Sequence, residues 1–238
     1  MSLPKVNAPE YTLELPSTDE EILYRPFLVK EEKLLLIAQE TGDETSVINA
    51  VKNIVQACIL NETIDVSTMA LFDLEYIFLN LRAKSIGETA QLKVKCPDDE
   101  KTMVDIEVFL PDVKVVVGEG HTNKIELTKD MLLEMTYPRF DSIVTMKKRF
   151  GDLTDIEMSF HMMADCMAVL YHGDEEYDMI DHSHQEKLDF LDGLTQDQFM
   201  KMQQFFDTSP KLSHEIEIQN PKTKKKSKLK LEGMQSFF

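Results

Sequence analysis

Between Ser67 and Arg82 the chain is apolar on almost every side of a helix: Met69, Leu71, Phe72, Leu74, Tyr76, Ile77, Phe78, Leu79 and Leu81 leave no broad polar face. A helix that is hydrophobic all round must be enclosed, so the segment predicts a helix central to the core or one covered by a partner. The rest of the fold has to be arranged around it. Asp73, Glu75 and Arg82 interrupt this surface. Buried carboxylates need partners, which directs attention to Arg25 or Arg82, unless the acids lie on an exposed edge. Those same charges end the apolar run well before it could cross a bilayer. Met1 to Glu10 hold no apolar signal core, and the reading is of a soluble protein made in the cytoplasm.

On either side of this helix the hydrophobic period changes. Pro4, Pro9 and Pro16 mark an extended arm to about Glu21. From Arg25 to Ala38, Pro26 is placed to open a helix whose stripe is Leu34, Ile37 and Ala38. A second helix after Thr45 and Ser46 repeats Val47, Val51, Ile54, Val55 and Cys58 at three and four residue spacing, which puts Cys58 on its buried face. Past Ser85-Ile86-Gly87 the period becomes two. Leu92, Val94 and Cys96, then Val104, Ile106 and Val108, flank the turn Pro97-Asp98-Asp99 as a hairpin, with Lys93 and Lys95 expected to meet Asp105 and Glu107. Val113 to Val117 and Lys124 to Leu127 read as further strands. Helical pattern returns from Asp155 to Tyr171 and from Thr195 to Phe206, the latter opened by a Thr195/Gln198 capping box. Leu212, His214, Ile216 and Ile218, a lysine-rich turn, and Leu229 and Leu231 close the chain as a second hairpin.

Helices, strands, helices and a hairpin in that order predict an α+β fold rather than a regularly alternating α/β sheet. The expected organisation is an arm (1–22), a helical segment (23–87), an antiparallel β segment (88–137), a second helical segment (138–208) and the C-terminal hairpin and tail (209–238). At 238 residues these form one or two compact units.

Composition narrows the chemistry. A net charge of −17 repels phosphate, so general binding to nucleic acid or to an anionic membrane is not expected. Cys58, Cys96 and Cys166 are few and dispersed, as in a reducing compartment. No nucleophile elbow, zinc-protease helix or phosphate loop is present, and Gly118-Glu119-Gly120 lacks the third glycine of a dinucleotide loop. His161 and Cys166 stand five apart, on different faces of a helix. The best metal candidate is His172, Asp174, Glu175, Glu176, Asp178, Asp181, His182 and His184, whose spacing fits neither a tetrahedral zinc pair nor a calcium loop. No catalytic, cofactor-binding or metal site is therefore assigned. Met158, Met162, Met163 and Met167 form a stripe that serves either core filling or an adaptable docking face. Lys222, Lys224, Lys225, Lys226, Lys228 and Lys230 gather positive charge in an acidic chain, and Phe237 and Phe238 end it. These eight residues are the candidate partner-binding element, the alternatives being a solvated hairpin tip and a tail docked on its own core.

Several stretches together resemble one family. Tyr24-Arg25-Pro26-Phe27-Leu28-Val29-Lys30-Glu31-Glu32-Lys33-Leu34-Leu35, Phe72-Asp73-Leu74-Glu75-Tyr76-Ile77-Phe78-Leu79-Asn80-Leu81-Arg82 with Ser85-Ile86-Gly87-Glu88, Tyr137-Pro138, and Pro210-Lys211-Leu212-Ser213-His214 with Leu231-Glu232-Gly233 and Phe237-Phe238 resemble the baseplate hub proteins of T-even-type contractile-tailed bacteriophages. The resemblance implies a non-enzymatic structural or assembly protein of the hub. It would act through other hub or tail proteins, in the host cytoplasm during assembly and in the virion tail baseplate if retained, with oligomerisation possible. It also implies, as alternatives, a transient assembly chaperone and a tail-associated cell-wall hydrolase. Relatives are expected to carry a cysteine pair in the central hairpin; here Cys96 is followed by Asp99 instead of a second cysteine.

Overall fold

The computed structural model describes residues 7–41, 44–151 and 153–237. In chain order the elements are β1 (Tyr11–Glu14), β2 (Glu21–Tyr24), α1 (Val29–Thr41), α2 (Glu44–Cys58), α3 (Leu71–Ser85), β3 (Thr89–Lys95), β4 (Met103–Phe109), β5 (Lys114–Val116), β6 (Lys124–Glu126), β7 (Met131–Met135), α4 (Phe140–Phe150), α5 (Asp155–Cys166), β8 (Met167–His172), β9 (Glu175–Asp178), α6 (His184–Asp192), α7 (Gln196–Thr208), β10 (Lys211–Gln219) and β11 (Lys226–Glu232). The fold is α+β, and every strand pairing between these elements is antiparallel. The chain divides into two compact units, residues 1–116 with 211–238, and residues 117–210.

In the first unit α3 is enclosed as its sequence requires. Phe72, Leu74, Ile77, Phe78, Leu79 and Leu81 are buried, α2 packs on the helix, and Leu79 and Ala83 join a cluster with Ala90, Val108, Leu212, Leu231 and Phe237. That cluster unites the apolar faces of the β3–β4 and β10–β11 hairpins. The helix starts later than its hydrophobicity suggests. Residues Val66–Thr68 form a 3-10 turn capped by Asp65, after which Met69 and Ala70 are extended. Asp73 is 1% exposed, and its partner is not an arginine: the N–H and the hydroxyl of Ser17, on the loop between β1 and β2, both donate to its carboxylate. The arm therefore carries a small hairpin that satisfies a core acid.

Arg25 goes elsewhere. Its guanidinium meets Glu31 at 2.9 Å and donates to the Ala57 carbonyl at the end of α2, while Glu31 accepts the Leu28 N–H at 2.7 Å. Glu31 thus sits at the third helical position and reaches back as in half of a capping box, which explains why α1 opens at Val29 rather than at Pro26. Burial alone would raise the Glu31 carboxyl; Arg25, the Leu28 N–H and Lys30 together hold it below the ordinary range. The stripe expected on α1 is corrected here. Ala38 is buried, but Leu34 and Ile37 are about half exposed, because the packed face of the helix is set by Glu31 and Ala38.

The β3–β4 hairpin has the expected turn, with Lys93 opposite Asp105 at 3.8 Å; Lys95, however, faces Met103, and Glu107 is paired with Gln91. In the second unit the sheet order is β6-β7-β8-β9. The helix expected to run to Tyr171 ends at Cys166, and Met167 begins a strand paired on both sides. Leu133, Met135, Met163, Cys166, Met167, Leu170, Met202 and Phe205 form the core between this sheet and helices α5 and α7. Three capping boxes, Thr154/Glu157, Ser183/Glu186 and Thr195/Gln198, start α5, α6 and α7. Gly118 has no room for a side chain: a Cβ there would lie 2.8 Å from Thr208 Cα, and its N–H donates to the Thr208 carbonyl.

Candidate docking surface

On β10 and β11 the alternation of the sequence becomes two chemically distinct faces. Ile216, Ile218, Leu229 and Leu231 face inward, while Glu215, Glu217, Lys226, Lys228 and Lys230 face solvent. Register places Glu215 across from Lys230 and Glu217 across from Lys228. The ion pairs run diagonally, Lys226 to Glu217 at 2.7 Å and Lys228 to Glu215 at 2.6 Å, and Lys230 meets Glu232 two residues along its own strand at 2.7 Å. Half of the lysine row is thereby neutralised within the hairpin. Exposed pairs of this kind add little stability, so their consequence is for charge: the surplus is displaced to the turn, where Lys222, Lys224 and Lys225 are exposed.

That turn is held by side chains. Asn220 is 1% exposed; its Oδ1 accepts the N–H groups of Lys222 at 2.8 Å and Thr223 at 3.2 Å, closing the turn from within. Its Nδ2 donates to Asp98 Oδ1 at 2.9 Å, and the Thr223 hydroxyl donates to Asp98 Oδ2 at 2.6 Å. Asp98 belongs to the tip of the other hairpin. One carboxylate therefore bolts together two turns that are more than a hundred residues apart in the chain.

The two turns are built alike. Each begins with a residue followed by proline, Cys96-Pro97 and Asn220-Pro221, and in each the fifth residue donates its N–H back to the first, Glu100 to Cys96 and Lys224 to Asn220. That fifth residue is left-handed in both, Glu100 at φ 52° and Lys224 at φ 62°, where glycine would be at ease. Asp99 accepts from the Thr102 hydroxyl and from the N–H groups of Thr102 and Lys101, which together hold its carboxyl well below the ordinary range. Asp98 is also held low, by Thr223 first and then Asn220. Asp99 occupies the position where a second cysteine is expected, and it closes the turn by hydrogen bonds. The Cys96 thiol is buried and pushed up, first by desolvation and then by the two aspartates beside it, which disfavours the thiolate that a metal or an oxidant would need.

Phe237 is fully enclosed by its own unit, and Phe238 lies outside the described residues. Burial pushes the Cys58 thiol up to about 11 and that of Cys166 higher still. His161 stacks on His184, 2.7 Å between Nδ1 and Nε2, and not on Cys166. His172 lies 3.7 Å from Asp130, and Asp178 caps the 3-10 turn Met179–Asp181. Among the described residues no three His, Cys, Asp or Glu side chains converge as a metal site, and no helix is long and apolar enough to cross a membrane. Sequence reasoning found the lysines but missed Asp98, Asn220 and Thr223, which order them. The visible signals were two X-Pro turns with polar side chains at matching offsets.

A family model described as T4 bacteriophage base plate protein matches residues 8–238. Neither a curated protein nor a solved structure matches the chain.

Proposed function

The chain belongs to the T4 bacteriophage base plate protein family, and from that premise we propose that it is a non-enzymatic protein of the baseplate hub. In this reading it works through contacts with other hub or tail proteins, assembling in the host cytoplasm, and its docking element is the lysine turn of residues 222–225. The family supports a structural or assembly role in the tail baseplate. The observation that carries the finer reading is the turn itself, where three exposed lysines stand on a loop fixed by Asn220 and Asp98, one of them in a backbone conformation that a lysine adopts only at a cost. A pre-ordered cationic loop presented by an acidic protein suits an acidic partner surface, since ordering costs are already met and charge speeds encounter.

Replacing Lys222, Lys224 and Lys225 together by glutamate tests this. The melting temperature should hold, because these side chains are solvent-exposed, while co-purification with co-expressed hub proteins should fall and wild-type binding should weaken as salt rises. Unchanged co-purification would overturn the assignment of the turn. Quantitative mass spectrometry of purified particles against infected-cell lysate addresses residence. Stoichiometric presence marks a resident hub subunit; absence from the particle assigns the protein to hub assembly instead.

A further inference from the structure

The second unit carries a surface of different chemistry. An open groove of about 520 Å³ lies along α5 and α7, floored by Met158, Phe160, Met162, Phe199 and Phe206 and edged by Ile156, which is 73% exposed. The Phe160 and Phe199 rings stack at 5.1 Å between centroids, joining the two helices across it. The methionine stripe is thus graded: Met167 fills the core, Met163 is buried at the base of the groove, and Met158 and Met162 stay partly exposed and line it. An apolar, methionine-bearing surface of this kind repacks readily around a guest side chain.

The charge around the groove selects the guest. Residues 117–210 hold nineteen acidic and eight basic residues. The two helices bear five acidic residues against one lysine; of the acids Asp207 lines the groove, whereas Asp165 faces another pocket and accepts from the Ser142 hydroxyl, and Lys201 donates to the Glu126 carbonyl of β6 at 2.6 Å. The only charged side chain that lines the groove among the described residues is Asp207, in the last turn of α7, where the helix adds partial negative charge of its own. An apolar floor edged by Asp207, in a unit of strongly acidic balance, is complementary to a helix that is apolar on one face and cationic on the other.

We propose that the α5–α7 groove docks a basic amphipathic helix of a partner protein, its apolar residues seated on Met158, Met162, Phe199 and Phe206 and its lysines or arginines set toward Asp207 and the acidic surface of the unit. This contact is independent of the lysine turn, which calls for a partner of opposite charge.

The test uses the full-length protein and three labelled synthetic peptides read by fluorescence anisotropy. The first is an amphipathic helix with leucine and phenylalanine on one face and lysine and arginine on the other; the second keeps the apolar face but carries glutamate; the third scatters the apolar residues of the first. The first should bind saturably, the second and third should bind at least about tenfold more weakly, and affinity should fall with salt. The variant Ile156→Ser/Met158→Ser, with its melting temperature checked, should lose roughly tenfold in affinity, the usual consequence of removing anchors from a docking site. The triple glutamate variant of the lysine turn should bind the first peptide as the wild type does. Equal binding of all three peptides, or indifference to Ile156→Ser/Met158→Ser, would overturn the proposal. So would concentration-dependent self-association in analytical ultracentrifugation that the same double variant abolishes, since the groove would then be an interface between copies of this chain.

Discussion

The lysine turn and the α5–α7 groove are opposite kinds of surface. The turn is polar, charged and held by a chain of hydrogen bonds from Asp98 through Asn220 to the backbone of Lys222 and Thr223. The groove is apolar and held by ring stacking and methionine packing, with no lysine or arginine among its lining residues. The two surfaces differ in how they answer to substitution. A hydrogen-bonded loop keeps its geometry only while each donor and acceptor is satisfied, so it is ordered in advance and intolerant of change. A methionine-lined surface tolerates change because its side chains can find new contacts.

The largest effect should come from the core of the first unit, at the end of the β10–β11 hairpin away from the turn. Phe237→Ala should cost about 3 to 5 kcal/mol, because the ring is fully buried among Leu79, Leu212 and Leu231. Ile156→Ala at the groove edge should stay within about 0.5 kcal/mol, because most of that side chain is already in water. Chemical denaturation of both variants checks the contrast, and a cost below about 1 kcal/mol for Phe237→Ala would place the tail on a partner rather than on its own core.

Asn220→Ala comes next, at about 1 to 3 kcal/mol, since it strips a buried acceptor from two backbone donors and a donor from Asp98. Hydrogen exchange should show faster amides at Lys222 and Thr223. Thr195→Ala, which removes the cap of α7 beneath the groove, should cost about 1 kcal/mol and leave the lysine turn unaltered. Lys224→Gly tests the turn through its backbone. Relief of the left-handed lysine should leave stability unchanged or raise it by up to about 1 kcal/mol, while partner binding falls. A loss of stability in a thermal melt would mean that the turn needs the lysine for its own fold.

How much of this was legible in the sequence follows from the range of each interaction. The enclosure of α3, the Thr195/Gln198 cap and the pairing of the two hairpins are local or periodic, and each left a readable trace. β7 did not: Met131-Leu132-Leu133-Glu134-Met135 is made of good helix formers, and only its place between β6 and β8 makes it a strand. β8 was hidden because Met167 continues the apolar stripe of α5 without a break, although the chain turns there from helix to sheet. Leu34 and Ile37 looked like core because they are apolar at helical spacing, yet the packed side of α1 is chosen by Glu31 and its bond to Arg25. The Asp98 clamp spans 122 residues to Asn220, and no local pattern could announce it. Six lysines could be counted, but not the three that Glu215, Glu217 and Glu232 neutralise.

The smallest effect is the dependence on acid, and it separates the two regions most cleanly. In the second unit His184 is held below the ordinary histidine value of about 6.5, first by burial and then by His161; Arg149 and Lys187 act in the same sense and Asp165 against it. His121, packed against Tyr137 and Phe205, is lowered by burial as well. A folded-state value below the unfolded one means that the unfolded chain takes up the proton first. The contribution is complete above about pH 6.5 and is lost as pH falls from there through the folded-state values. In the first unit the groups that hold the turn are Asp98 and Asp99, both depressed, so their contribution is complete above about pH 3.9 and is lost only below it. Between these two limits the second unit should loosen while the clamp beneath the lysine turn stays closed. Amide exchange followed residue by residue from pH 7 to pH 4 should therefore accelerate around α5 and α6 before it does at Asp98, Asn220 and Thr223, with intrinsic exchange rates divided out. Simultaneous loosening of both regions would show that the units share one acid-sensitive core and would dissolve the contrast between them.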